Sequence, residues 1–118
     1  MSIPCNRVFI SVDMEGITGV VHGAQVGGDQ TEYAYYCKMM ARDLNAAVEG
    51  ALEAGANEIV VSDAHGGMRN MPPEDVHEAA YLIRGSPKPD SMMEGIEEGY
   101  DAAMYIGYHA MNGTERGV

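Results

Sequence analysis

Apolar residues fall along the chain in four short runs and one long periodic stretch. Arg7 to Asp13 (RVFISVD) is rich in β-branched side chains and reads as a buried strand. From Tyr33 to Leu52 the positions Tyr33, Tyr36, Cys37, Met40, Leu44, Val48, Ala51 and Leu52 recur at helical spacing, which lays one apolar stripe along a helix. Asp29, followed by Glu32, is expected to cap the start of that helix, and Gly55 to end it. Glu58 to Ser62 (EIVVS) is a second strand, Tyr81 to Arg84 (YLIR) a weaker third and Ala102 to Tyr108 (AAMYIGY) a fourth. Between them, Pro72 and Pro73 are expected to open a short helix running to Ala79. Ser91 with Glu94 is expected to cap another, carrying Met92, Met93 and Ile96.

A strand, a long helix and a second strand make a βαβ unit, so the strands should be parallel and the crossover right-handed. The pattern predicts an α/β fold: an open, mostly parallel sheet with helices on both faces, Rossmann-like in its three layers. No helical pattern follows the fourth strand before Val118. A parallel sheet needs both faces covered, so the expectation is a truncated sheet.

Composition narrows the options. The chain has 118 residues, 46% of them apolar and 21% charged, as in globular proteins. No apolar run reaches the roughly 18 residues that span a bilayer. The start, Met1 to Arg7, lacks the basic and apolar segments of a secretory signal, so a cytoplasmic location is expected. A net charge of −11 argues against nucleic acid and anionic membranes as partners. Cys5 and Cys37 form neither a CxxC pair nor a disulfide framework; Cys37 reads as a buried helix residue and Cys5 as incidental. The ten methionines read as core filler.

In open α/β sheets, ligands bind beyond the carboxyl ends of the strands. Asp13 and Glu15 follow the first strand, Asp63 and His65 the second, and His109 the fourth, while Gly85 after the third offers nothing. Residues two apart in an extended segment point to the same side. Asp13 with Glu15, and Asp63 with His65, are therefore expected to converge in pairs. Paired carboxylates repel unless a cation lies between them or one takes a proton. Carboxylates with imidazoles suit zinc, manganese or other divalent first-row ions. An acid after a strand is more often a turn former and a loop histidine more often solvated. The joint placement at three strand ends is what favours a metal site.

The other histidines stand apart. His77 starts an HExxH-like stretch, but Tyr81 occupies the place of the second histidine, so it is no zincin helix. His22, in a glycine-rich loop, reads as exposed. The first strand-to-helix turn, Asp13 to Gly19, puts carboxylates where a dinucleotide fingerprint needs glycines, and neither a phosphate loop nor a nucleophile elbow occurs.

The strings Ser11-Val12-Asp13-Met14-Glu15-Gly16, Ser62-Asp63-Ala64-His65 and Gly107-Tyr108-His109-Ala110 resemble the D-aminopeptidases of the DppA type (peptidase family M55) in motif, order and spacing. Lys88-Pro89, Ser91-Met92 and Glu94-Gly95 resemble the family's segment between the second and third motifs, so the likeness covers Arg7 to Ala110. It implies a cytoplasmic enzyme that uses two zinc ions to remove amino-terminal D-residues such as D-alanine from short peptides, assembled as a homo-oligomeric ring. It also implies roles: Asp13 bridging both metals, Glu15 and His65 on one, His109 on the other, and Asp63 as a supporting carboxylate that orients a ligand or binds substrate. Family members are longer, and a further glutamate ligand and a catalytic histidine are expected beyond Val118. By this reading residues 7–110 are an α/β metal-binding domain and 111–118 begin a further carboxy-terminal region. No catalytic residue is then expected within the chain.

The mechanism implied is metal-assisted amide hydrolysis, with ions about 3.5–4 Å apart activating water and polarising the scissile carbonyl. Two rivals stand beside it. One is a dinuclear metallophosphoesterase, for which Asp63-Ala64-His65 supplies a DxH triplet and Arg69 the one candidate phosphate partner; a magnesium phosphotransferase using Asp13 is its relative. The other is a metal-binding half-domain that works only with another chain.

Overall fold

A computed structural model describes residues 4–118. Strands β1 (Arg7–Val12), β2 (Glu58–Asp63), β3 (Ala80–Ile83) and β4 (Ala102–Ile106) form one sheet in the order β3-β2-β1-β4, with every neighbouring pair parallel. The fold is thus an open parallel α/β sheet, as the run-and-stripe pattern predicts. β1 lies inside the sheet, paired with β2 on one side and β4 on the other. That central place explains its near-continuous apolar character, since both of its faces are covered.

Helix α1 (Tyr33–Glu53) packs its stripe against one face. Met40, Leu44 and Val48, all fully buried, form one core with Val8, Ile10, Val12, Ile59 and Val61. Each such side chain contributes roughly 1.5–3 kcal/mol by leaving water. Met14, Met40 and Met71 are completely buried, as expected of methionine used as filler, and Cys37 is buried in the same core. Gly55 follows the helix at φ +104°, a left-handed turn that a side chain would strain.

The start of α1 differs from expectation. It begins at Tyr33, and Glu32 at its amino-terminal boundary makes no side-chain cap. The Asp29 carboxylate instead accepts from the Gln30 side chain, while the Gln30 and Tyr33 amides close successive turns onto Gly27 and Gln30. The Asp29 carboxylate is turned to a neighbouring side chain, and the capping box does not form.

The opposite face has no second α-helix among the described residues and is covered mainly over the two central strands, Tyr81 and Tyr105 on the edge strands being 66% and 56% exposed. Residues 91–93 form only a 3-10 turn, because Ser91 sits at φ +52°. Glu94 does reach back as a cap, but to the Asp90 amide at 2.7 Å. The segment onward to Tyr100 lies over the sheet, where the Tyr100 ring meets Phe9 edge to face at 5.8 Å. Arg7 spans this layer, bonding Glu58 at 2.5 Å and Glu97 at 3.1 Å and stacking over Tyr100. The helix expected from Pro72 to Ala79 is likewise only a 3-10 turn at Pro73–Asp75. The Asn45 side chain on α1 bonds the Asp75 carbonyl and the His77 amide, holding that backbone extended toward β3.

Candidate metal centre

The sheet ladder does not stop at the last strand residues. The Asp13 amide donates to the Ile106 carbonyl at 2.9 Å, and the Ala64 amide donates to Val12 at 2.8 Å. Gly16 then donates to Gly107 at 2.8 Å. The turn carrying Asp13 and Glu15 is therefore tied to the end of β4, and the backbone before His65 to the end of β1. Gly16 makes the close approach possible: a Cβ there would lie 2.6 Å from the Tyr108 carbonyl oxygen and 2.9 Å from the Gly107 backbone.

Asp13, Glu15 and His65 come together as their place at the strand ends predicts, each offering a ligand atom within 4.8 Å of the others, although β1 ends at Val12 and strand alternation is not what pairs the two acids. Asp13 is 2% exposed. Its Oδ1 accepts from the Met14 amide at 2.9 Å and lies 3.0 Å from His65 Nδ1, which is also 3.3 Å from Glu15 Oε1. His109 stands on the other side of Asp13, its Nε2 being 3.8 Å from Oδ2. One oxygen of Asp13 thus faces each imidazole.

Backbone carbonyls fix both rings. A carbonyl can only accept, so His65 Nε2 donates to Val26 at 2.8 Å and His109 Nδ1 donates to Ala110 at 2.7 Å. In each neutral ring the remaining lone pair is then on the nitrogen that faces Asp13. The Tyr108 ring stacks on His109, with its hydroxyl 2.5 Å from Ser11 Oγ.

The charges are uneasily balanced. Asp13 Oδ2 and Glu15 Oε2 are buried and accept no hydrogen bond. Burial pushes the Glu15 carboxyl up, and the neighbouring Asp13 pushes it further. Burial also acts on Asp13, but the bonds from His65, Glu15 and the Met14 amide outweigh it and hold this carboxyl below the usual range. Burial would lower His65; Asp13, the Val26 carbonyl and Glu15 reverse that and raise it to about 9. His109 is raised by the Ala110 carbonyl and then by Asp13. Without a cation, a second proton on His65, at Nδ1, fills the space that Asp13 Oδ1 and Glu15 Oε1 face. The donor set of two carboxylates and two oriented imidazoles, with two buried oxygens left over, fits a zinc-type ion.

Asp63 does not converge with His65. It is fully buried, and its carboxylate accepts from the Asn70 amide at 2.7 Å, the Asn70 side chain at 2.7 Å and the Met71 amide at 2.9 Å. Asn70 in turn bonds the His65 carbonyl at 2.6 Å. Asp63 thus shapes the turn that carries His65 and meets neither the ring nor solvent. Sequence reasoning missed Asn70 and the Val26 carbonyl. A buried asparagine after a strand-end loop is a weak hint of the first, and nothing in residue type marks a carbonyl. His22 is exposed and its Nδ1 accepts from the Ala24 amide, closing a 3-10 turn away from the cluster.

A family model for D-aminopeptidases, peptidase family M55, matches residues 6–118. The D-aminopeptidase of Bacillus subtilis (strain 168) is 35% identical over 108 residues, which is 92% of this chain and 39% of that protein. A solved structure of the Zn-dependent D-aminopeptidase DppA from Bacillus subtilis, a self-compartmentalizing protease, matches with a TM-score of 0.91 at 36% identity. That match covers 95% of this chain and 40% of the other. The chain therefore spans well under half the length of the relatives it matches. With family model, sequence identity and fold in agreement over almost all of its residues, it belongs to the D-aminopeptidases of peptidase family M55.

Proposed function

We propose that this chain carries the metal-binding part of a zinc-dependent aminopeptidase that removes amino-terminal D-amino acids, such as D-alanine, from short peptides. The observation that carries the reading is the pair of buried, unpartnered carboxylate oxygens on Asp13 and Glu15, set against two imidazoles whose lone pairs each face one oxygen of Asp13. In this reading Asp13 would hold metal through both of its oxygens, with Glu15 and His65 as its partners on one side and His109 on the other.

Zinc in such a centre polarises a scissile carbonyl and acidifies water. The chain's own contribution is positional. Val26 and Ala110 hold the two rings in the ligating tautomer, and Asp63 with Asn70 fixes the turn that presents His65. The buried position of Asp13 strengthens every charge interaction around it. Residues 7–110 form the metal-binding unit, and 111–118 lead toward a further glutamate ligand and a catalytic histidine, for which the greater length of the relatives leaves room. A cytoplasmic homo-oligomer goes with this reading. Among the described residues, no helix is long and apolar enough to cross a membrane.

Metal analysis after dialysis against zinc is the direct test. The wild type should hold bound zinc, while Asp13→Ala and His65→Ala should lose most of it. Full occupancy in both variants would remove the centre. Equal turnover of D-alanyl and L-alanyl peptides would remove the stereochemical part.

A further inference from the structure

The loop from Gly19 to Val26 is fastened to α1 by two buried polar side chains, Gln25 and Tyr36, each 9% exposed. Gln25 Oε1 accepts from the Val21 amide at 2.7 Å and from the His22 amide at 3.0 Å. Those two donors need the carbonyl side, so the carboxamide has one orientation and its Nε2 donates to the Tyr36 hydroxyl at 3.1 Å. That hydroxyl donates in turn to the Gly19 carbonyl at 3.2 Å. Gly19 sits at φ +89°, and a Cβ there would lie 3.3 Å from the Tyr36 ring. Both ends of the loop are thus tied to one tyrosine hydroxyl on the helix.

A carboxamide taken out of water costs free energy that only its own hydrogen bonds return. Here those bonds hold the residue next to Val26, whose carbonyl accepts from His65 Nε2 at 2.8 Å. The Val26 side chain is buried in the core and its amide donates to Gly23 at 3.2 Å. Val26 lies outside the four strands and α1, so no sheet or helix ladder fixes its carbonyl. The Gln25–Tyr36 bond supplies that anchorage. With Nε2 engaged, the His65 ring keeps Nδ1 at 3.0 Å from Asp13 Oδ1 and 3.3 Å from Glu15 Oε1.

We propose that Gln25 and Tyr36 are positioning residues for the metal centre: together they fix the Val26 carbonyl, and through it the tautomer and aim of His65. The inference rests on the reading of the cluster as a metal centre. Neither side chain touches the cluster; both act through the loop. A carbonyl that can drift gives up its hold on the imidazole N–H, and the ring is then free to turn its other nitrogen toward Asp13.

The experiment follows exchange of the His65 Nε2 proton by NMR, with and without zinc, and measures zinc affinity beside it. Tyr36→Phe keeps the ring and removes the hydroxyl, and Gln25→Met keeps the length and removes the carboxamide. Gln25→Glu keeps an acceptor for the Val21 and His22 amides. Val48→Ala is the control, trimming a fully buried side chain about 18 Å further along α1. Wild type should exchange this proton slowly. Tyr36→Phe and Gln25→Met should each speed the exchange and weaken zinc binding about tenfold, the lower end of the range for groups that orient a metal-bound imidazole. Gln25→Glu should restore most of the affinity, because glutamate serves equally in the turn that Gln25 closes with His22. Val48→Ala should lower stability and leave both readouts as in wild type. Wild-type exchange and affinity in either Tyr36→Phe or Gln25→Met overturn the inference. Equal changes in Val48→Ala also overturn it, since any loss of stability would then loosen His65. If wild type binds no zinc but Tyr36→Phe and Gln25→Met still speed exchange, the positioning stands and the metal centre falls. Zinc held alike by all variants, with exchange unchanged, does the reverse.

Discussion

Asp63→Ala is the most informative single change, because the resemblance leaves this carboxylate two roles, orienting a ligand or binding substrate, and its hydrogen bonds favour the first. It is fully buried and accepts three hydrogen bonds, from the Asn70 amide and side chain and from the Met71 amide. Alanine removes the acceptor from all three donors, and each stranded donor costs about 1–3 kcal/mol. Gly66, Gly67 and Arg69 in the same turn are exposed, so water can reach part of the gap, and the expected loss is about 3–5 kcal/mol from the lower part of that range. This is a large share of the roughly 5–15 kcal/mol that holds a domain folded. The assay is urea unfolding of metal-free wild type and variant, followed by zinc titration under conditions where the variant remains folded. The turn carries His65, so zinc affinity should fall as well, by about 10–100-fold. If Asp63→Ala unfolds within about 1 kcal/mol of wild type, the reasoning from its bonds is wrong.

Three further outcomes are expected. In chelator-treated protein, the NMR titration of His65 should have its midpoint near 9; the stability it contributes is complete below its ordinary value of 6.5 and lost as pH rises through about 9, and a midpoint at or below 6.5 would contradict the ion-pair geometry. Glu15→Gln should leave the metal-free protein as stable or slightly more so, since it relieves the repulsion from Asp13, while zinc affinity drops about tenfold or more; a clear loss of metal-free stability would mark Glu15 as structural. Gly16→Ala should lower the melting temperature and weaken zinc binding together, at a cost of about 1–3 kcal/mol, because its Cβ meets the backbone of Gly107 and Tyr108; an unchanged melting curve would show that the two turns separate freely.

What could be read from the sequence was the part governed by short-range periodicity. Four apolar runs and one stripe place the strands and α1 within a few residues, because burial on a parallel sheet forces those patterns. The strand-end rule then brings Asp13, Glu15 and His65 together and sets His109 beside them. The errors lie where a local pattern competes with distant contacts. Asp29 and Glu32 look like a capping box, yet the Asp29 carboxylate takes the Gln30 side chain and Glu32 caps nothing. Ser91 and Glu94 look like another, yet the positive φ of Ser91 shifts the cap to Asp90. Asp63 and His65 obey the alternation rule only while the chain is extended, and β2 ends at Asp63, so the two side chains part. The Val26 carbonyl comes from a loop 39 positions away in sequence from His65, and no residue type announces it.

Because β1 is flanked on both sides, Asp13 borrows its surroundings from two neighbours that are remote in sequence and contact each other nowhere in the sheet. A peptide copied from the first turn would contain two acids and no imidazole. The centre is a property of the assembled sheet, and an ion held there would act as a rivet through three strands, resisting any peeling of the outermost one.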